Sequence, residues 1–136
     1  MKKFLSIKYS NTSFNIALLL TRLVFGSTMM VIHGYQKLIH FAETKNDFFN
    51  FLGLGSTVTL SLVVFAEFFC AAFIILGLFT RFAAIPLCIA MGYACFVAHH
   101  GEIFAKGEAS LQFLTAFFLI LLCGPGKYSV DGMINK

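Results

Sequence analysis

The side chains able to do chemistry in this sequence are few and unevenly placed. Arg22 and Glu67 each interrupt a long apolar run, Lys37 stands at the edge of the first run, and His33, Gln36, His99, Glu108 and Gln112 lie at or near run ends. Imidazole and ammonium groups tuned by burial polarise or protonate a ligand oxygen, and a carboxylate exchanges the proton. Such a set suits a small carbonyl-bearing molecule held in an apolar setting. A metal centre fits less well: His33, His99, His100, Glu102 and Glu108 offer ligand atoms, but their spacing matches no standard metal motif. Cys70, Cys88, Cys95 and Cys123 all lie inside apolar segments and form no C-x-x-C pair, which reads as helix packing and not as dithiol chemistry.

The elements that must position these groups follow from composition. The chain has 136 residues, 59% of them hydrophobic and 12% charged, with a mean hydropathy of +0.86. Soluble domains carry roughly 25% charged residues, so too few charges are present to cover a water-facing surface. Four transmembrane helices of roughly 20 residues each would take about 80 residues and leave about 56 for ends and loops. The apolar runs predict spans over about 15–39, 57–78, 82–98 and 108–123, which make an all-α integral membrane four-helix bundle forming one domain over residues 1–136. Residues 40–56 mix charges with Phe48, Phe49, Phe51, Leu52 and Leu54, the composition of a segment lying in the membrane interface. Gly77 with Thr80 and Arg81 marks a tight turn, Pro86 belongs to the opening turns of the third helix, and Gly124-Pro125-Gly126 stops the fourth. The first apolar stretch follows a lysine pair as a signal peptide does, but Arg22 interrupts it, which favours a retained anchor.

Orientation is read from the cations. With the N-terminus inside, the inner flanks hold Lys2, Lys3, Lys8, Arg81, Lys127 and Lys136, against Lys37, Lys45 and Lys106 outside; both termini are therefore expected in the cytoplasm. The formal charge of +4 is scattered along the chain, without the basic stripe or stacking platform that nucleic acid requires.

At 100° per residue, Arg22, Gly26, Met29, His33 and Gln36 project within about 40° of Arg22, with Lys37 on the margin. A charged group inside a span costs about 2.5–3.5 kcal/mol even on lenient scales and normally faces a partner. At about 1.5 Å per residue, Arg22 lies roughly 10 Å and Glu67 roughly 15 Å from the inner ends of their helices. An Arg22–Glu67 ion pair is the resulting expectation. Towards the outer side, the stripe Cys88, Gly92, Cys95, His99 and the stripe Glu108, Gln112, Thr115 can converge with His33, Gln36 and Lys37. That pocket, lined by His33, Gln36, Lys37, His99, Glu108 and Gln112, suits a quinone headgroup, which needs hydrogen-bond donors, a route for protons and an apolar slot.

Arg22, His33-Gly34-Tyr35-Gln36-Lys37-Leu38, Ala66-Glu67, Leu76-Gly77-Leu78-Phe79-Thr80-Arg81, His99, Gly107-Glu108 and Gly124-Pro125-Gly126-Lys127-Tyr128-Ser129-Val130-Asp131 together resemble the DoxX family. Their order and spacing around the apolar runs cover nearly the whole chain. The resemblance implies a small four-helix integral membrane protein, akin to membrane subunits of an archaeal thiosulfate:quinone oxidoreductase. It gives weight to Arg22, His33, Gly34, Lys37, Glu67, His99, Glu108 and the Gly-Pro-Gly turn. The chain has no glycine-rich nucleotide fingerprint, flavin site or haem-attachment motif, so no intrinsic cofactor is expected and quinone is the ligand to consider. Two functions follow as expectations. One is a component of a quinone-linked oxidoreductase of the inner membrane, drawing electrons from a partner subunit. The other is a noncatalytic membrane scaffold or small-molecule carrier, alone or as a homo-oligomer.

Overall fold

The structure, a computed structural model, describes residues 1–98 and 107–135. Its regular elements are all helical: Asn11–Ile39 (α1), Phe41–Thr44 (α2), Ser56–Leu76 (α3), Thr80–Val97 (α4), Glu108–Cys123 (α5) and Val130–Ile134 (α6). α1, α3 and α4 are each long and apolar enough to cross a membrane. α5 is apolar but has 16 residues, a rise of about 24 Å against a hydrocarbon core of about 30 Å.

Local chemistry sets the helix ends where hydropathy alone misplaces them. Ser10 caps α1 by accepting the Ser13 N–H at 3.1 Å, so the helix begins four residues before the expected 15. α3 stops at Leu76 because Gly77 adopts φ 71°. The Leu78 N–H then reaches the Phe73 carbonyl at 3.0 Å and the Gly77 N–H the Ile74 carbonyl at 3.1 Å, the paired bonds of a Schellman ending. α4 opens at Thr80, which places Pro86 well inside the helix and withdraws the N–H that would bond the Phe82 carbonyl.

The core lies where α1, α3, α4 and α5 meet. Met29, Ile74, Leu87, Phe117 and Ile120 are fully buried, and Ala66, Ala71, Ala83 and Ala84 let the helices approach closely. Leu20, Val24, Val31 and Ile32 of α1 and Leu62, Phe65 and Phe69 of α3 face outward, as side chains in contact with lipid do.

Two six-residue wide turns face each other at the crossing of α1 and α3, Met29–Gly34 in one helix and Phe65–Cys70 in the other. Gly34 makes this crossing possible. A Cβ there would lie 2.5 Å from the Glu67 carbonyl oxygen and 2.6 Å from its carbon, and backbone cannot rotate out of the way. Gly34→Ala is therefore expected to lower stability by about 1–3 kcal/mol, the range for overpacking. Gly26→Ala, whose Cβ would first meet the Ile75 side chain at 2.9 Å, should lose less. Thermal unfolding of the two variants in detergent checks the order.

Candidate functional site

Arg22 and Glu67 do not pair. Arg22 is 1% exposed, and its guanidinium is spent on backbone carbonyls. Nε donates to Ile74 at 3.0 Å, Nη2 to Ile75 at 3.0 Å, and Nη1 to Pro125 at 3.1 Å and Tyr128 at 2.8 Å. The reason lies in the end of α3. Its last carbonyls have no intrahelical donors and carry the negative end of the helix dipole, so they offer a cation what a carboxylate would. Arg22 thus ties α1 to the end of α3 and to the turn after α5.

Glu67 is paired with Lys37 instead, Nζ to Oε2 at 2.6 Å, with side-chain exposures of 28% for Lys37 and 6% for Glu67. Lys37 takes the inward position assigned to Gln36 on the projection of an ideal helix. A wide turn adds one residue to the helix, which sets back every later side chain by about 100°. After Met29–Gly34, Lys37 therefore occupies the sector Gln36 would have held, and Gln36 is exposed. His33 sits within the same wide turn, half-buried, with its ring edge-on to Phe113 at 5.4 Å and 85°. It lies within electrostatic reach of both Glu67 and Lys37.

Glu108 and Gln112, also expected in the pocket, do not join this pair. α5 turns Ser110, Phe113, Ala116, Phe117 and Ile120 inward, because this i, i+3, i+4 face buries the larger apolar area. Glu108 and Gln112 are left exposed, joined to each other at 3.5 Å. α5 thus reaches the site through Phe113. His99 lies outside the described residues, as do His100 and Glu102. Among the described residues, no group of three His, Cys, Asp or Glu side chains is placed to hold a metal ion. What remains is the Lys37–Glu67 pair across the α1–α3 crossing, with His33 in the wide turn of α1 that packs there.

The sequence that follows Gly-Pro-Gly has a separate structural role. The Asp131 carboxylate accepts the N–H groups of Phe79 and Thr80, both at 2.9 Å, and so caps the start of α4. Ser129 is buried and caps α6 by accepting the Gly132 N–H at 2.9 Å while donating to the Gly126 carbonyl at 2.7 Å. This capping went unread in the sequence, although a serine three residues before Gly132 and directly before a short helix is its usual signal. Burial pushes the Asp131 carboxyl up, but the N–H groups of Thr80 and Phe79 and the Arg22 charge together hold it below the ordinary carboxylate value. Its contribution to stability is therefore complete above about pH 4, the unfolded value, and fades as pH falls through the lowered folded value. Asp131→Asn should cost about 1 kcal/mol at pH 7, and the gap from wild type should close in stronger acid. Paired thermal midpoints at pH 7 and pH 3 read this directly.

Residues 17–100 match the family model DoxX, a stretch that contains Arg22, His33, Gly34, Lys37 and Glu67. The chain is also 29% identical over 114 residues to the inner membrane protein YqjF of Escherichia coli strain K12, an alignment covering 79% of this chain and 85% of that protein. No solved structure matches the chain. The chain belongs to the DoxX family.

Proposed function

We propose that this chain is a multi-pass inner-membrane protein serving a quinone-linked oxidoreductase system, with His33, Lys37 and Glu67 as its ligand-facing groups. In this reading α1, α3, α4 and α5 cross the bilayer, both termini are cytoplasmic, and residues 40–56 lie along the outer interface. The E. coli relative, named as an inner membrane protein, supports the location. The observation that carries the functional reading is the 2.6 Å Lys37–Glu67 pair placed beside His33 at a glycine-packed crossing. Helix docking alone is served elsewhere by Arg22, whereas this pair leaves Lys37 28% exposed.

The donor set fits a quinone. An ammonium group has three N–H donors; one meets Glu67, and the others are available to a ligand carbonyl. A bound quinone supplies two-electron chemistry, in which its oxygens need protons. Lys37 orients a ligand oxygen through Nζ, Glu67 holds that group in place, and His33 offers a second exchangeable proton. The sequence has no nucleotide, flavin or haem-attachment motif of its own, so the electrons come from a partner subunit.

Purification with native lipid tests this reading. Quinone should accompany the wild-type protein in near-stoichiometric amount and be lost from a His33→Ala, Lys37→Ala variant at matched folded fraction. Well-folded wild-type protein without quinone would favour a noncatalytic scaffold or carrier, including a homo-oligomer. One observation already leans that way: the Lys37–Glu67 pair joins two helices, as a docking contact would.

A further inference from the structure

We infer that a slot between α3 and α4 is a binding site for the isoprenoid tail of a membrane quinone; the identity of the head that this tail carries rests on the quinone reading above. The slot encloses about 280 Å³. Thr59, Ala66 and Ala90 contribute small side chains to its lining, and Leu62, Phe65 and Ile89, all largely exposed on the outer surface of the helices, flank it. Its entrance therefore opens sideways into the hydrocarbon layer.

Residues 49–51 fold back over this groove. The Phe49 ring stacks on Tyr93 with centroids 5.0 Å apart and planes 9° from parallel, and Phe51 meets the same tyrosine edge-on at 5.0 Å and 89°. Thr59 fixes this arrangement, since its hydroxyl accepts the Phe51 N–H at 3.0 Å and donates to the Gly55 carbonyl at 2.7 Å. That hydroxyl has no donor left for a ligand. Besides Thr59, the Tyr93 hydroxyl is the polar side-chain group in the lining, and its single O–H serves at most one of a quinone's two carbonyls; the other would be left unsatisfied, at a cost of a few kcal/mol, so the headgroup does not belong there. The slot is suited to hydrocarbon.

The kind of hydrocarbon follows from rigidity. An isoprenoid chain carries a double bond in every four-carbon repeat, so it freezes fewer torsions than a saturated chain of the same length on entering a preformed site. Its methyl branches also make close contacts with aromatic faces. A slot walled by stacked rings selects on both counts. Ala66 lines the slot while Glu67, the next residue, pairs with Lys37 of α1, so the tail site and the charged cluster lie on different faces of the same turn of α3.

Photolabelling of the full chain in lipid nanodiscs tests the assignment. The probes are a diazirine-bearing farnesyl alcohol, which has no quinone ring, and a diazirine-bearing saturated alcohol of matched length. The prenyl probe should label residues 49–51 and 86–93 of the wild-type protein at least fivefold more than the saturated probe. Ala90→Phe, which fills the slot, should lose that labelling; Ile89→Trp at the exposed mouth gives the same readout if Ala90→Phe folds poorly. Equal labelling by both probes, or undiminished labelling of the filled slot, overturns the inference. The two proposals fail separately. Prenyl labelling without co-purifying quinone defeats only the headgroup assignment, and quinone held through Lys37 with no prenyl label in the slot defeats only this one.

Discussion

Replacing Arg22 with alanine is expected to cost about 3–5 kcal/mol, the range for stranding buried charged or strongly polar partners. Four carbonyls lose the guanidinium at once, those of Ile74, Ile75, Pro125 and Tyr128, with Ile74 keeping the Gly77 N–H, and three chain segments lose their common tie. Lysine should not rescue the loss. Its ammonium is a point charge and cannot span four acceptors arranged around a planar fork. The loss should also be independent of Glu67. If the two residues formed one ion pair, the double variant Arg22→Ala, Glu67→Gln would recover stability; as separate sites they should add to within about 0.5 kcal/mol. Denaturation in mixed detergent measures Arg22→Ala, Arg22→Lys, Glu67→Gln and the double variant on one scale.

The second large effect concerns the pair that does form. Lys37→Met leaves a carboxylate that is 6% exposed without its counter-charge, which should cost about 3 kcal/mol. Glu67→Gln should cost less, about 1–2 kcal/mol, because Lys37 is 28% exposed and its long stem lets the ammonium move toward the surface. The double variant Lys37→Met, Glu67→Gln removes both charges and should regain most of the larger loss, since a buried ion pair replaced by groups of similar volume is often neutral. A coupling energy well above 1 kcal/mol for Lys37 and Glu67, beside none for Arg22 and Glu67, would establish which partner Glu67 has.

These contrasts show what could be read from the sequence. The apolar runs located the long helices to within a few residues, because burial in lipid imposes a coarse signal on composition. Gly77 and Gly124-Pro125-Gly126 marked real turns. The partner of Arg22 was not legible, since backbone carbonyls at a helix end have no residue type to betray them. Gln36 and Lys37 exchanged roles for a different reason. The wide turn at Met29–Gly34 changes helical phase without any distinctive sequence, and a projection at constant angle carries the error onward. Glu108 and Gln112 were misplaced because their polar stripe competes with Phe113 and Phe117 for the inward face, and the aromatic rings bury more area. At the crossing Glu67 is buried and His33 half-buried, and the charged partner of Glu67 is Lys37.

Quinone binding by the Lys37→Met, Glu67→Gln protein is the most direct test of the central claim, that this pair faces a ligand as well as joining two helices. The variant should fold with nearly wild-type stability, so a loss of binding cannot be assigned to unfolding. Titration with a short-tailed quinone in nanodiscs should show affinity reduced at least tenfold while the thermal midpoint stays close to that of wild type. Unchanged affinity in the folded double variant would contradict the account and leave the pair a docking contact alone.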